Sequence, residues 1–173
     1  DLAVREQPEA VVIAGDIYDK AVPSAEAVEV FDRFIAGLNA ALPGTAVMMI
    51  AGNHDSGPRI NCFRSVLSRQ NVYMIGQPPR VEGEQIEKVV LEDEFGPVNF
   101  YLLPFVRPSM VKQLTGVDEN GNNLSYDETL HRLIGREEIN PSQRNVLVSH
   151  QFYLPAGTHA EDVERMDSEI RTV

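Results

Sequence analysis

Cysteine is nearly missing from this chain of 173 residues: Cys62 stands alone, so no internal disulfide can form. A lone thiol fits a reducing, cytoplasmic setting, and Cys62 reads as a buried structural residue. Positive charge is also scarce. Lys and Arg total 15 against 26 Asp and Glu, a formal net charge of −11. That balance argues against tight passive binding of nucleic acid, because phosphates need cationic partners. It leaves room for an enzyme that meets phosphate through bound divalent metals, which are the largest local charges in such a site. No apolar run approaches the length of a membrane span, and there is no signal-peptide pattern, internal repeat or low-complexity segment. The chain opens at Asp1, without a methionine, on what reads as the last turns of a helix. It is expected to be a piece of a longer protein.

What is present is a regular alternation. Pro8 breaks the first helix. Ala10 to Ala14 is a continuous apolar run suited to a central parallel strand. Pro23-Ser24 opens a helix to about Leu42, with Ala27, Val30, Phe31, Phe34, Ile35 and Leu38 at three- and four-residue steps, closed by Pro43-Gly44. Ala46 to Ile50 is a second buried strand. Pro58 to Gln70 reads as one helix with Ile60, Phe63, Val66 and Leu67 on one face, and Val72 to Met74 as a short strand. This order predicts an α/β domain with a parallel sheet covered by helices. Gln85 to Leu91 and Val98 to Leu103 then read as a hairpin with a polar turn. A short helix is expected over Ser109 to Leu114, a loop over Gly116 to Asn123, and a helix from Ser125 to near Gly135. Asn145 to Ser149 is a strand ending in His150, and Gln151 to Val173 is polar and poorly patterned.

Three of the apolar strands end in polar groups: Gly15-Asp16-Ile17-Tyr18-Asp19, Gly52-Asn53-His54-Asp55, and His150. Chemistry in open α/β folds collects outside the carboxyl ends of strands. Asn53 offers a neutral oxygen ligand, His54 a proton carrier, and Asp55 a carboxylate to orient it. Asp, Asn and His together suit Mn²⁺ or a similar divalent ion. Asp16, directly after its strand, is the natural bridge between two ions. Each group also has an ordinary reading: Gly-Asn and Asp-Ser-Gly are common turn residues, and a lone strand-end histidine is often a satisfied core residue. Asp19 could be a supporting carboxylate or simply begin a loop. His131 and His159 read as solvated, without a role.

These motifs resemble the middle motifs of the calcineurin-like metallophosphoesterases. Within that superfamily, the stretches 12–23, 101–108 (Tyr-Leu-Leu-Pro-Phe-Val-Arg-Pro) and 146–152 resemble the bacterial SbcD family of nuclease subunits. The resemblance implies a layered metallophosphoesterase-type fold, with residues 1–173 forming one truncated domain. It implies two divalent ions, Mn²⁺ for preference, with Asp16 bridging and Asn53 and His150 as metal ligands. His54 would be the catalytic histidine and Asp55 its orienting partner. It further implies hydrolysis of DNA phosphodiesters in repair and recombination, at double-strand ends, hairpins and single strands. An SbcC-type coiled-coil ATPase would be the partner, and a homodimer would form through the helices near 24–42 and 58–70. The family's first Asp-x-His motif and last Gly-His-x-His motif are absent from this sequence. A piece lacking them is expected to bind metal weakly. Two rival readings stand beside this one: a phosphomonoesterase or cyclic-nucleotide phosphodiesterase on the same scaffold, and a non-catalytic assembly module.

Overall fold

Two three-stranded sheets stack face to face, and each has helices on its outer side. The computed structural model describes residues 2–153. In chain order the elements are α1 (Leu2–Glu6), β1 (Ala10–Ala14), α2 (Ala25–Ala41), β2 (Ala46–Ile50), α3 (Gly57–Ile60), α4 (Arg64–Leu67) with a 3₁₀ turn at Ser68–Gln70, and β3 (Val72–Ile75). There follow β4 (Glu87–Asp93), β5 (Gly96–Leu103), α5 (Pro108–Thr115), α6 (Tyr126–Ile134) and β6 (Arg144–Ser149). The first sheet is parallel in the order β1-β2-β3; the second runs β4-β5-β6, with β4 antiparallel and β6 parallel to β5.

β2 explains the layering. All five of its residues are buried, and their alternation sends them to two different cores. Ala46, Met48 and Ile50 meet Val89, Leu102 and Val148 of the second sheet. Val47 and Met49 face the other way, toward Phe31, Ile35 and Leu38 of α2 and toward Ile60. A third cluster joins Tyr101 and Leu103 of β5 to Val111 of α5 and Leu133 of α6. A strand clothed on both faces has no polar side, which is why its sequence is a continuous apolar run.

Local chemistry sets the helix limits. The Ser24 hydroxyl accepts from the Ala27 amide at 3.2 Å, and the Ser125 hydroxyl from the Glu128 amide at 3.1 Å, so both serines cap helix N-termini. The hairpin is longer than its apolar runs suggest. Pairing continues to Asp93 opposite Gly96, leaving Glu94 and Phe95 as the turn. The Asp93 carboxylate accepts from the Phe95 amide, and Gly96 takes a φ of 97°.

Four expectations are corrected. The layered α/β fold is as expected, but the strand ending in His150 is expected on the parallel sheet with the other two; β6 instead belongs to the second sheet, because it pairs with β5. Among the described residues β1 is an edge strand, not a central one, and Val12 is exposed. The helix expected over 58–70 breaks into α3, α4 and the 3₁₀ turn. The Asn61 side chain accepts from the Gly76 amide at 2.7 Å, and two residues on, Phe63 takes a left-handed φ of 62°, where the helical path ends. The break turns Phe63 and Val66 outward, 73% and 60% exposed, so the expected apolar face does not form. It also leaves Cys62 exposed, not buried. Among the described residues no helix is long and apolar enough to cross a membrane.

Candidate metal centre

The carboxyl ends of β1, β2 and β6 converge on one rim. The structure brings Asp16, Asn53 and His150 together there, the first two from one sheet and the third from the other. His150 Nε2 lies 3.1 Å from Asn53 Oδ1 and 3.5 Å from Asp16 Oδ2. The other ring nitrogen determines what Nε2 can do. His150 Nδ1–H donates to the Ala14 carbonyl at 2.8 Å. In the neutral ring Nε2 therefore carries a lone pair. It faces a carboxylate oxygen and an amide oxygen, both also acceptors. Three lone-pair donors with no proton between them repel one another and attract a cation. The donor set of one imidazole, one carboxylate and one amide oxygen fits a divalent ion of the Mn²⁺ or Zn²⁺ kind. It is a partial shell. Among the described residues no group of three or more His, Cys, Asp and Glu gathers, and three donors make half an octahedron.

Two glycines hold this geometry, and neither stands out as a functional residue in the sequence. A Cβ on Gly15 would lie 2.1 Å from His150 Nδ1. A Cβ on Gly52 would lie 2.1 Å from Asp16 Oδ1 and 2.3 Å from the Asp16 amide. Asp16 itself takes a φ of 48°, a left-handed conformation that L-residues visit at a cost. Its Oδ1 accepts from the His54 amide at 3.1 Å, which leaves Oδ2 turned to the rim. The one available signal was the repeated Gly-polar pair after an apolar strand, Gly15-Asp16 and Gly52-Asn53.

Asp55 does something other than orient His54. Its carboxylate accepts from three main-chain amides: Gly52 at 2.8 Å, Ile17 at 3.0 Å and Tyr18 at 2.9 Å. It clasps the loop after β1 to the loop after β2, and so fixes Asp16 beside Asn53. The His54 ring is held instead by the main chain of Asp19, whose carbonyl accepts from Nδ1–H at 3.1 Å. The Asp19 side chain points to solvent near Lys20. His54 is exposed, and among the described residues its Nε2 makes no hydrogen bond and can meet a ligand. Burial, with the Asp55 carboxylate as a second cause, raises the Tyr18 phenol above its ordinary pKa. Tyr18 therefore stays protonated through neutral pH, its ring packed on Phe31. His131 sits solvated on α6 beside Asp127; His159 lies outside the described residues.

Comparison with known proteins identifies the family. Residues 1–166 match the calcineurin-like phosphoesterase family, to which the chain belongs. It is also similar to two proteins described as the SbcD component of the nuclease SbcCD. The one from Staphylococcus epidermidis is 29% identical over 148 residues, covering 84% of this chain and 36% of the relative. The one from Staphylococcus saprophyticus is 28% identical over 147 residues, with the same coverage. The chain thus spans about a third of the length of the curated relatives it matches.

Proposed function

We propose that this chain is the metal-holding core of a DNA nuclease subunit that hydrolyses phosphodiester bonds within a longer protein. The convergence of Asp16 Oδ2, Asn53 Oδ1 and His150 Nε2 at the phosphoesterase rim is the observation that carries the reading. Its substrates are double-stranded DNA ends and single-stranded or hairpin DNA, in repair and recombination. Asp16, Asn53 and His150 hold divalent metal, Mn²⁺ for preference. Such ions, when bound, polarise phosphate oxygens and lower the pKa of water. The chain's residues supply position and a proton. Asp55 holds the two loops in register. The Asp19 carbonyl fixes the His54 ring, so that Nε2 can hold or deliver a proton at the leaving oxygen.

An SbcC-type coiled-coil ATPase is the proposed partner, by analogy with the relatives' names. A second copy is proposed to dock on α2, where Val30 and Phe34 lie 57% and 48% exposed. A reducing cytoplasm is the proposed compartment. The net charge of −11 favours one rival, a phosphodiesterase of small esters, because long DNA prefers a basic track.

The test is turnover by the full-length protein with Mn²⁺, on a DNA hairpin and on a small phosphodiester. His54→Ala lowers turnover on DNA about 100-fold or more, in the range of general acid loss. Unchanged turnover removes His54 from the mechanism. Wild-type activity confined to the small ester selects the rival.

A further inference from the structure

Beside the metal rim lies a cation that the proposed mechanism leaves unused. Arg107 follows β5 and precedes α5, and its side chain is exposed. Its guanidinium carbon sits 5.8 Å from the centre of the Phe105 ring. The Phe105 ring meets the His150 ring edge-on, with centroids 6.4 Å apart. Arg107 is therefore one aromatic ring away from a proposed metal ligand. Arg107, Asn53 and Asp55 also line one hollow of about 120 Å³, walled by Gly76 and Gln77.

Two features bear on what Arg107 can do. The first is that no carboxylate meets its charge, a condition it shares among the described residues with Arg59, Arg69 and Arg80. Arg64, Arg132 and Arg144 each pair with a carboxylate at 2.8 Å or less. Among the described residues, no carboxylate lies within 4.0 Å of Arg107. Of Arg59, Arg69, Arg80 and Arg107, the last is the one that shares a hollow with Asn53 and Asp55. The second is its place. The guanidinium lies over the Phe105 ring, and among the described residues its N–H donors make no hydrogen bond, so they can meet an oxyanion. The hollow is well below the 300–1,000 Å³ or so of pockets that enclose whole small molecules. It suits a phosphoryl group, not a nucleoside.

We propose that Arg107 binds a phosphate flanking the one under attack, and so selects polynucleotides over esters with a single phosphorus. The inference rests on the phosphoesterase reading of the rim. Bidentate contact from guanidinium to two phosphate oxygens supplies the affinity, and the displacement of Arg107 from the ligands by one ring supplies the offset.

Two measurements on the full-length protein test it. The first is binding of a single-stranded oligonucleotide by fluorescence anisotropy in the presence of EDTA. Arg107→Ala weakens binding about tenfold, the size of a lost charge-assisted hydrogen bond. It also reduces the slope of log affinity against log salt by about 0.7, the value for one single-strand phosphate contact. Arg107→Lys retains the slope. A methylphosphonate at the flanking position weakens the wild type to the same extent and leaves Arg107→Ala unaffected, which excludes a mere folding defect. The second measurement is turnover of bis(p-nitrophenyl) phosphate with Mn²⁺, where Arg107→Ala stays within twofold of wild type. Unchanged binding and slope in Arg107→Ala overturn the proposal, as does an equal loss on the single-phosphorus ester. A wild type that hydrolyses neither this ester nor the DNA hairpin with Mn²⁺ overturns the phosphoesterase reading, and this proposal with it. A wild type that cleaves both, with oligonucleotide binding unchanged in Arg107→Ala, overturns the role of Arg107 alone.

Discussion

Gly52 shows how little space the rim leaves. A methyl group there would meet the Asp16 amide as well as its carboxylate, and a backbone atom cannot rotate aside. Gly52→Ala therefore pushes the β1 loop off the β2 loop. It costs about 1–3 kcal/mol, as overpacking of a rigid site does. It also lowers affinity for Mn²⁺ at least tenfold, since Asp16 Oδ2 leaves its neighbours. Urea unfolding and calorimetric Mn²⁺ titration of the longer protein check the two parts. A fully stable variant with intact metal binding would show that the loops yield. That Asp16, Asn53 and His150 meet at one rim was legible in the sequence because each comes within three residues of the end of an apolar strand. The role of Asp55 was not. Its partners Ile17 and Tyr18 contribute backbone amides from 38 and 37 positions upstream, and no side-chain pattern reports a backbone donor.

Among the elements, the strands were easier to read than the helices after β2. β2 is buried on both faces, and its run of five apolar residues says so directly. The stretch 58–70 carries apolar residues at helical spacing, yet long-range contacts break it. Asn61 is drawn to the Gly76 amide, and a Cβ on Gly57 would lie 2.2 Å from the Gly76 carbonyl. Helical periodicity cannot foresee a loop that arrives 15 residues later. The break stores strain at Phe63, a left-handed residue whose ring is 73% exposed and packs on little. The left-handed conformation costs an L-residue about 1–2 kcal/mol. Glycine avoids that penalty but loses roughly 0.5–1 kcal/mol through chain entropy. Phe63→Gly is therefore stabilising by about 0.5–1 kcal/mol, a rise in Tm of about 1–4 °C for a domain of this size. Phe63→Ala keeps the strain and gains nothing. Parallel thermal melts of the two variants separate relief of strain from simple removal of an exposed ring.

For the molecule as a whole, the rim is where the two sheets are tied. Inside the sandwich they meet through apolar contacts, Met48 and Ile50 against Leu102 and Val148. At the rim the Phe105 amide donates to the Ala51 carbonyl at 2.9 Å, and His150 Nδ1–H to the Ala14 carbonyl. Asp16 and Asn53 stand on the first sheet and His150 on the second. An ion bound by all three is a cross-link between layers, and its binding energy becomes folding energy. At a concentration one hundred times its Kd, such an ion stabilises the native state by about 2.7 kcal/mol, provided the unfolded chain does not bind it. That corresponds to a rise in Tm of roughly 5–10 °C for a unit of 150–250 residues. In the longer protein, Mn²⁺ raises Tm by this amount over EDTA, and His150→Ala loses most of the rise. Asn53→Ala loses less, because an amide oxygen is a weaker ligand than an imidazole nitrogen for such an ion. The comparison needs no activity and no partner, only melts with and without the ion. Equal rises in wild type and His150→Ala would place the ion elsewhere and leave the two sheets joined by packing and hydrogen bonds alone.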